Sequence, residues 1–446
     1  MKCAIITSVG PGHEQLLQDS CRPSVEAAKS YSAGPFQTIE HIVMDDTKGL
    51  YGRSKRRNEA IQMAVSDGFD WVFFLDADDV LTPNAFEGFG RCIEAEPELD
   101  AVWGLICEFD GDEEPVLRPG QPEQMNSRQD LLATEPFLAI QIGAFMRTEC
   151  VARFGFDESM NTGEDFKLYY QLWANCSCAK RPEIFFVNRR GVHSTGPRSA
   201  TGKDWQDSVS AQWAEQIAQT PLWMTVKSGG EDAEMLVNNP NDIIQRAYLR
   251  GQFFEADSLA KLKGLIKSSA PRILEVGANI GNHVVWYARN LNAECIYPVE
   301  PNPLALDILR ENVQANNLNG CIDERGMGFG AGKTSGRFRV ETDDADNLGA
   351  TRLVADQAGE IDVKTLDALM GSDKVDFIKI DAEGMELDVL EGAAALIARD
   401  KPVIWVEVMR NNLLGFAQNW CREAGYQIVD STPYLNTIDY FAVPRD

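Results

Sequence analysis

No apolar run in this sequence approaches the ~20 residues that cross a bilayer, and the opening "MKCAIITSVG" lacks a signal-peptide pattern. The expectation is a cytoplasmic chain without a transmembrane segment. Histidine is scarce, four in 446 residues, and no H-E-x-x-H or similar metal motif occurs. The ten cysteines form no repeated C-x-x-C, and "CSC" at 176–178 has the wrong spacing for a usual zinc clip. Reduced, mostly buried thiols are expected instead. Basic residues are outnumbered, 42 against 68 acidic, for a net charge of -26. A surface of that sign repels phosphate backbones, which argues against nucleic acid as a partner. Short-period repeats and low-complexity tracts are missing as well.

What is present is one grammar used twice. Short apolar runs alternate with helical patterns, the signature of βα units around a parallel sheet. The first half holds "CAIIT", "IEHIVM", "WVFFL" and "AVWGLI"; the second holds "RILEV", "CIYPV", "DFIKI" and "PVIWVEV". Between them Gly-Gly, acids and Asn-Asn-Pro break the periodicity. The reading is an α/β chain of two domains, 1–224 and 238–446, with a linker at 225–237.

In the first half, "WVFFLDADDV" drives an unbroken apolar strand into Asp76, Asp78 and Asp79. In an open α/β sheet the ligand crevice lies outside the carboxyl ends of such strands. Two readings compete: a solvated turn, or a site for a diphosphate with a hard divalent cation, which takes carboxylate and phosphate oxygens. Thr82 is the expected N-cap of the next helix, with Pro83 at its first position. A second apolar run ends in Asp45 and Asp46. Shortly after, "RSKRRNEAIQMA" begins a helix with Arg57 and Asn58 in its first turn and Ala60, Ile61, Ala64 and Val65 on one face. Glu164 and Asp165 precede an aromatic-rich helix, where acids also serve as dipole partners.

"MDDTKG", "RRNEAI", "FLDADDVLTP" and "FGFDESMNTGEDFKLYYQL" together resemble family 2 glycosyltransferases of the GT-A fold over roughly residues 1–220. The resemblance implies that Asp45 or Asp46 contacts the donor nucleotide, a UDP-sugar by default. It makes Asp76 and Asp78 the DxD element, holding ribose and the Mn²⁺- or Mg²⁺-bound diphosphate, with Asp78 as a metal ligand. Asp165 becomes the general base that takes the acceptor hydroxyl's proton in an inverting displacement. Thr7, Arg57 and Asn58 join the donor contacts. His193 is either a metal or diphosphate contact or a surface-loop histidine. "TSVGPGHEQ" departs from the family's Thr-x-x-Tyr-Asn-like element after the first strand.

In the second half, "RILEVGANIGNHVVWYARNL" is a strand, a glycine turn and a helix. Gly277 and Gly281 permit tight turning and close backbone approach. Glu300 ends the next strand, 19 residues after Gly281, a separation suited to binding ribose hydroxyls. The dinucleotide fingerprint G-x-G-x-x-G is absent. "EVGANIGNH", "VEPNPLALDILRENVQANNLN", "VKTLDAL" and "VDFIKIDAEGMELDVLEGA" instead resemble the FkbM methyltransferases, over roughly 238–446. That resemblance implies a class I Rossmann-like domain with a mostly parallel, seven-stranded sheet. It implies S-adenosyl-L-methionine held by Glu275, Gly277, Asn279, Gly281, Glu300 and Asn302. Asp381 and Glu383 become the candidates for acceptor binding or proton removal, and Lys379 pairs with an acid. The closing "YQIVDSTPYLNTIDYFAVPRD" reads as two strands around a Thr-Pro turn.

The combined expectation is a bifunctional carbohydrate enzyme, transferring a sugar to a saccharide or glycoconjugate acceptor and methylating a glycan hydroxyl. The alternative is an active O-methyltransferase whose first half is a non-catalytic glycan- or nucleotide-sugar-binding module.

Overall fold

An unbroken apolar run such as Trp71–Leu75 has no polar face to offer water, so helices or other strands must cover it on both sides. The computed structural model describes residues 1–111, 113–191, 201–342 and 351–445. It divides into two compact units, Met1–Thr220 and Pro221–Asp446.

The first unit is built on β1 (Lys2–Val9), β2 (Thr38–Asp45), β3 (Trp71–Phe74), β4 (Ala101–Trp103), β5 (Ala144–Arg147) and β6 (Cys178–Lys180), in spatial order β2-β1-β3-β5-β4-β6. β1 runs parallel to both neighbours, while β5 is antiparallel to β3 and β4. A layer of aromatics backs β3: Phe89 stacks on Phe145 at 4.3 Å between centroids, and Trp71 meets Phe89 edge-on at 4.7 Å. That dense packing fixes the strand whose end carries the acidic turn. Two helices bear on the site, α1 (Arg53–Ser66) and α2 (Glu164–Asn175). α1 buries Ala60, Ile61 and Ala64 as its pattern requires, whereas Val65 is exposed. Thr82 is not a helix cap: its hydroxyl donates to the carbonyls of Ile184 and Phe185, and the helix starts later, at Ala85 behind Asn84.

The second unit contains β7 (Arg272–Val276), β8 (Cys295–Val299), β9 (Phe377–Ile380), β10 (Val403–Met409), β11 (Tyr426–Pro433) and β12 (Thr437–Pro444). They lie in the order β8-β7-β9-β10-β12-β11; the first four are parallel and the closing hairpin is antiparallel. Six strands form this sheet among the described residues, not seven, and a separate four-stranded sheet takes up part of the chain between β8 and β9. The final turn follows Pro433 instead of containing it. Helices α3 (Asn282–Asn290) and α4 (Pro303–Ala315) follow β7 and β8.

The expected linker at 225–237 needs correction. Leu222–Val226 pairs antiparallel with Ala233–Val237 inside the second unit. The polar Gly-Gly stretch between them is the bend of a hairpin, with Gly229 at φ 76°. Among the described residues, no helix is long and apolar enough to cross a membrane.

Candidate functional sites

Because β1 and β3 are parallel neighbours, the loops that leave them emerge at one sheet edge. Asp76 and Asp78 stand there. An arginine from the first turn of α1 reaches in: Arg57 is 3% exposed and donates to Asp76 Oδ1 at 2.6 Å and to Glu164 Oε1 at 3.3 Å. Arg53 grips the same Glu164 carboxylate through Nε and, at 3.0 Å, through Nη2. Glu164 and Asp165 open α2 directly behind Gly163, which sits at φ 74°. A Cβ on Gly163 would come within 2.5 Å of Ser208 Oγ.

The charges are unequal by construction. Burial would raise Asp76, but the Arg57 and Arg53 guanidiniums outweigh it and hold the carboxyl below its usual value. Asp78 lacks such a partner, and burial together with the charge on Asp76 pushes it up to about 6. Asp165 is also raised to about 6, by burial and by Glu164, against the pull of Arg53 and Arg57. Asp79 belongs to the framework: fully buried, it accepts from Asn188 Nδ2 at 3.0 Å and from the Arg189 amide at 2.9 Å.

The structure thus gathers Arg57, Asp76, Asp78 and Asp165, while several other expected donor contacts are occupied internally. Thr7 is completely buried, and its hydroxyl lies 2.9 Å from His41 Nε2. Asp46 accepts from the amides of Leu50, Tyr51 and Gly52 at 2.7–3.0 Å, which shapes the turn before α1. Asp45 is exposed and accepts from the Thr47 amide. Asn58 forms a two-way bond with the Phe156 backbone, at 2.8 and 2.9 Å, and so fastens α1 to the segment before α2. His193 lies outside the described residues. Sequence reasoning missed His13, whose Nδ1 lies 3.9 Å from Asp78 Oδ1. Its signal was positional: it follows β1 and shares β3's edge.

In the second unit a cleft opens at the carboxyl edge of β7, β8 and β9. Gly277 at φ 80° lets the turn pass beneath β9, since a Cβ there would lie 1.9 Å from the Asp381 carbonyl. Gly281, at φ 82°, heads α3 and faces Leu309. Glu300 at the end of β8 accepts from the Asn279 amide and the Asn302 amide, each at 2.8 Å. Burial nevertheless lifts its carboxyl to about 7. The Asn302 side chain caps α4 through the Leu304 amide. Asp381 binds Lys379 Nζ at 3.0 Å, the pairing expected for that buried lysine. Glu383 is raised to about 7 by burial, with Asp381 and Glu386 adding to it.

Two members of this cleft were not foreseen. His283, on the first turn of α3, places Nδ1 at 3.0 Å from Glu275 and Nε2 at 3.2 Å from Glu255. Burial disfavours the imidazolium, but the two carboxylates overcome that and raise it to about 9. The helix start after a glycine turn could have suggested His283; Glu255 closes "DIIQRAYLRGQFFE", a segment that resembles the entry of the FkbM family but that gave this residue no role. Six non-glycine residues of the described chain have positive φ, and Glu255, Asn279 and Glu383 of that set line this one cleft. Such strain collects where surrounding structure enforces it.

Residues 17–152 match the profile of glycosyl transferase family 2, and residues 275–428 match that of the methyltransferase FkbM domain. The chain joins a family 2 glycosyltransferase to an FkbM methyltransferase. Both are transferase families, and one match falls in each of the two α/β units. The chain is 27% identical over 195 residues to the hexuronic acid methyltransferase AglP of Haloferax volcanii, covering 40% of this chain and 76% of AglP. Among solved structures it is similar to residues 1–349 of S. aureus TarS, with 15% identity and TM-score 0.35 over 49% of this chain. The chain spans 65% of that TarS structure. It is also similar to M. jannaschii TYW2 in complex with AdoMet, with 12% identity and TM-score 0.29 over 51% of this chain and 87% of the other.

Proposed function

We propose that the glycosyltransferase unit transfers a sugar from a nucleotide donor to an acceptor hydroxyl with inversion, and that the methyltransferase unit O-methylates a glycan hydroxyl. One observation carries the first half: Arg57 bonds both Asp76 behind β3 and Glu164, the neighbour of Asp165 at the start of α2, while Asp78 and Asp165 are each raised to about 6. Asp165 is then poised to take the acceptor's proton near neutral pH, where a general base is most effective. Asp78, a buried carboxylate with His13 at 3.9 Å as its only ion pair among the described residues, fits a hard divalent ion such as Mn²⁺ or Mg²⁺. Bound there, the ion would neutralise charge on the departing nucleoside diphosphate. Arg57 and Glu164 set the orientation of Asp76, and Asn58 secures the helix that carries Arg57.

In the methyltransferase unit, S-adenosyl-L-methionine suits the donor set. Asn279 Oδ1 is a buried acceptor on the cleft wall without a hydrogen-bond partner among the described residues, so an N–H or O–H group of a ligand would satisfy it. Glu300 takes the ribose hydroxyls, while Gly277 and Gly281 leave room for close approach. The cofactor supplies an activated methyl group; the protein's task is to align the acceptor oxygen with it. Glu383 is the better proton acceptor of the two candidates because Asp381 is already paired with Lys379.

The test is mass spectrometry of products after offering a panel of nucleotide-sugars and sugar acceptors with isotopically labelled S-adenosyl-L-methionine and Mn²⁺. Both a hexose-type and a labelled methyl increment are expected. A methyl increment alone would make the first unit a binding module.

A further inference from the structure

The FkbM resemblance assigns Glu275 to the cofactor, and its methionyl ammonium favours acidic company near the glycine turn. The geometry divides that work differently. Glu275 is 1% exposed and lies behind the cleft wall, whereas Glu255 is part of that wall. His283 joins them, with one ring nitrogen on each carboxylate. One imidazolium between two carboxylates leaves the trio with one negative charge in excess.

The other charged groups near Glu255 do not remove that excess. Lys379, from β9, is bonded to Asp381, and Asp439 adds a further acid in the same neighbourhood. Tyr434 places its hydroxyl 3.4 Å from Glu255 Oε1 and is neutral. Burial favours the uncharged form of Glu255, but contact with His283 and the charge on Lys379 hold its carboxyl below the usual value. Glu255 also keeps a left-handed backbone, φ 57°, a conformation that is strained for a residue with a Cβ. A charged side chain on a strained backbone at a cleft wall is an arrangement expected of a ligand contact.

Position selects the ligand group. Glu300 ends β8, on one flank of β7, while Glu255 interacts with Lys379 of β9, on the other flank. A nucleoside held at Glu300 would therefore extend its amino-acid end toward Glu255. We propose that Glu255 receives the ammonium of the sulfonium cofactor, and that Glu275 is a positioning residue acting through His283. This rests on reading the cleft as the S-adenosyl-L-methionine site.

The experiment is titration calorimetry of the full chain with two ligands that share a nucleoside. S-adenosylhomocysteine carries the ammonium; 5′-methylthioadenosine lacks the whole amino-acid end. Glu255→Gln is expected to weaken S-adenosylhomocysteine by about tenfold or more, the loss of one charge-assisted bond, and to leave 5′-methylthioadenosine within about twofold. His283→Gln should show the same split, which a merely structural histidine would not produce. If Glu255→Gln fails to fold, Glu255→Asp carries the same test, since it keeps the charge and withdraws the carboxylate by one methylene.

Equal loss of both ligands, or of neither, in a folded Glu255 variant overturns the proposal. A split seen in Glu275→Gln but not at Glu255 overturns it too and moves the ammonium to Glu275. Wild-type chain that binds neither ligand removes the cofactor reading itself, and this assignment with it.

Discussion

Replacing His283 by glutamine would separate the charge of the ring from its bulk. The wild-type imidazole is 9% exposed and held at about 9 against an ordinary 6.5. A base whose folded value is raised contributes stability that is complete below its unfolded value and is lost as pH climbs through the folded one. The window is therefore roughly pH 6.5 to 9. At 1.36 kcal/mol per pH unit, a gap of about 2.5 units corresponds to about 3 kcal/mol. Glu300 and Glu383, both held near 7, also withdraw stability as pH rises from their unfolded values, but they do so in both proteins. The stability difference between wild type and His283→Gln should thus shrink by about 3 kcal/mol between pH 6 and pH 10. Urea denaturation of the full chain, followed by tryptophan fluorescence at several pH values, measures it. Parallel curves across that range would show an uncharged ring and refute the reasoning.

Other outcomes follow from the same geometry. Asp78→Asn should abolish Mn²⁺-dependent nucleotide binding in calorimetry while circular dichroism stays unchanged, because among the described residues the nearest basic side chain to that carboxylate, His13, stands off at 3.9 Å. Arg57→Ala leaves Asp76 without its buried arginine, while Glu164 keeps Arg53, and should cost about 3 kcal/mol in urea denaturation. Asn58→Ala breaks a two-way bond to the Phe156 backbone; a loss of about 1–3 kcal/mol is expected, with sugar transfer falling through disordered positioning of Arg57. Gly277→Ala places a Cβ 1.9 Å from a carbonyl oxygen, so S-adenosylhomocysteine binding should be lost in calorimetry even where the rest of the sheet survives.

The strands of both units could be read directly, because a run such as "WVFFL" has no polar face and must be interior. Parallel order then fixes which ends carry chemistry, which picks out Asp76 and Asp78, whereas Asp165, 89 residues beyond Asp76 at a helix start, was joined to them only by the family resemblance. What could not be read depends on partners supplied by the folded chain. Thr7 and Asn58 are polar residues beside a cleft in one dimension, yet their atoms are committed to His41 and to the Phe156 backbone. The hairpin at 222–237 was hidden by its own turn, since Gly-Gly with acids reads equally well as a tether. Glu255 closes a segment that resembles the FkbM entry, but its role was not legible there, since its place depends on a histidine 28 residues later.

The clustering of Glu255, Asn279 and Glu383 in left-handed backbone around a single cleft has a practical corollary. Selection for heat tolerance would relieve such positions, since glycine at any of the three, or asparagine in place of either glutamate, is locally favourable. Variants selected purely for survival at high temperature should accumulate changes at these three codons and arrive as hardy proteins that no longer alkylate their acceptor.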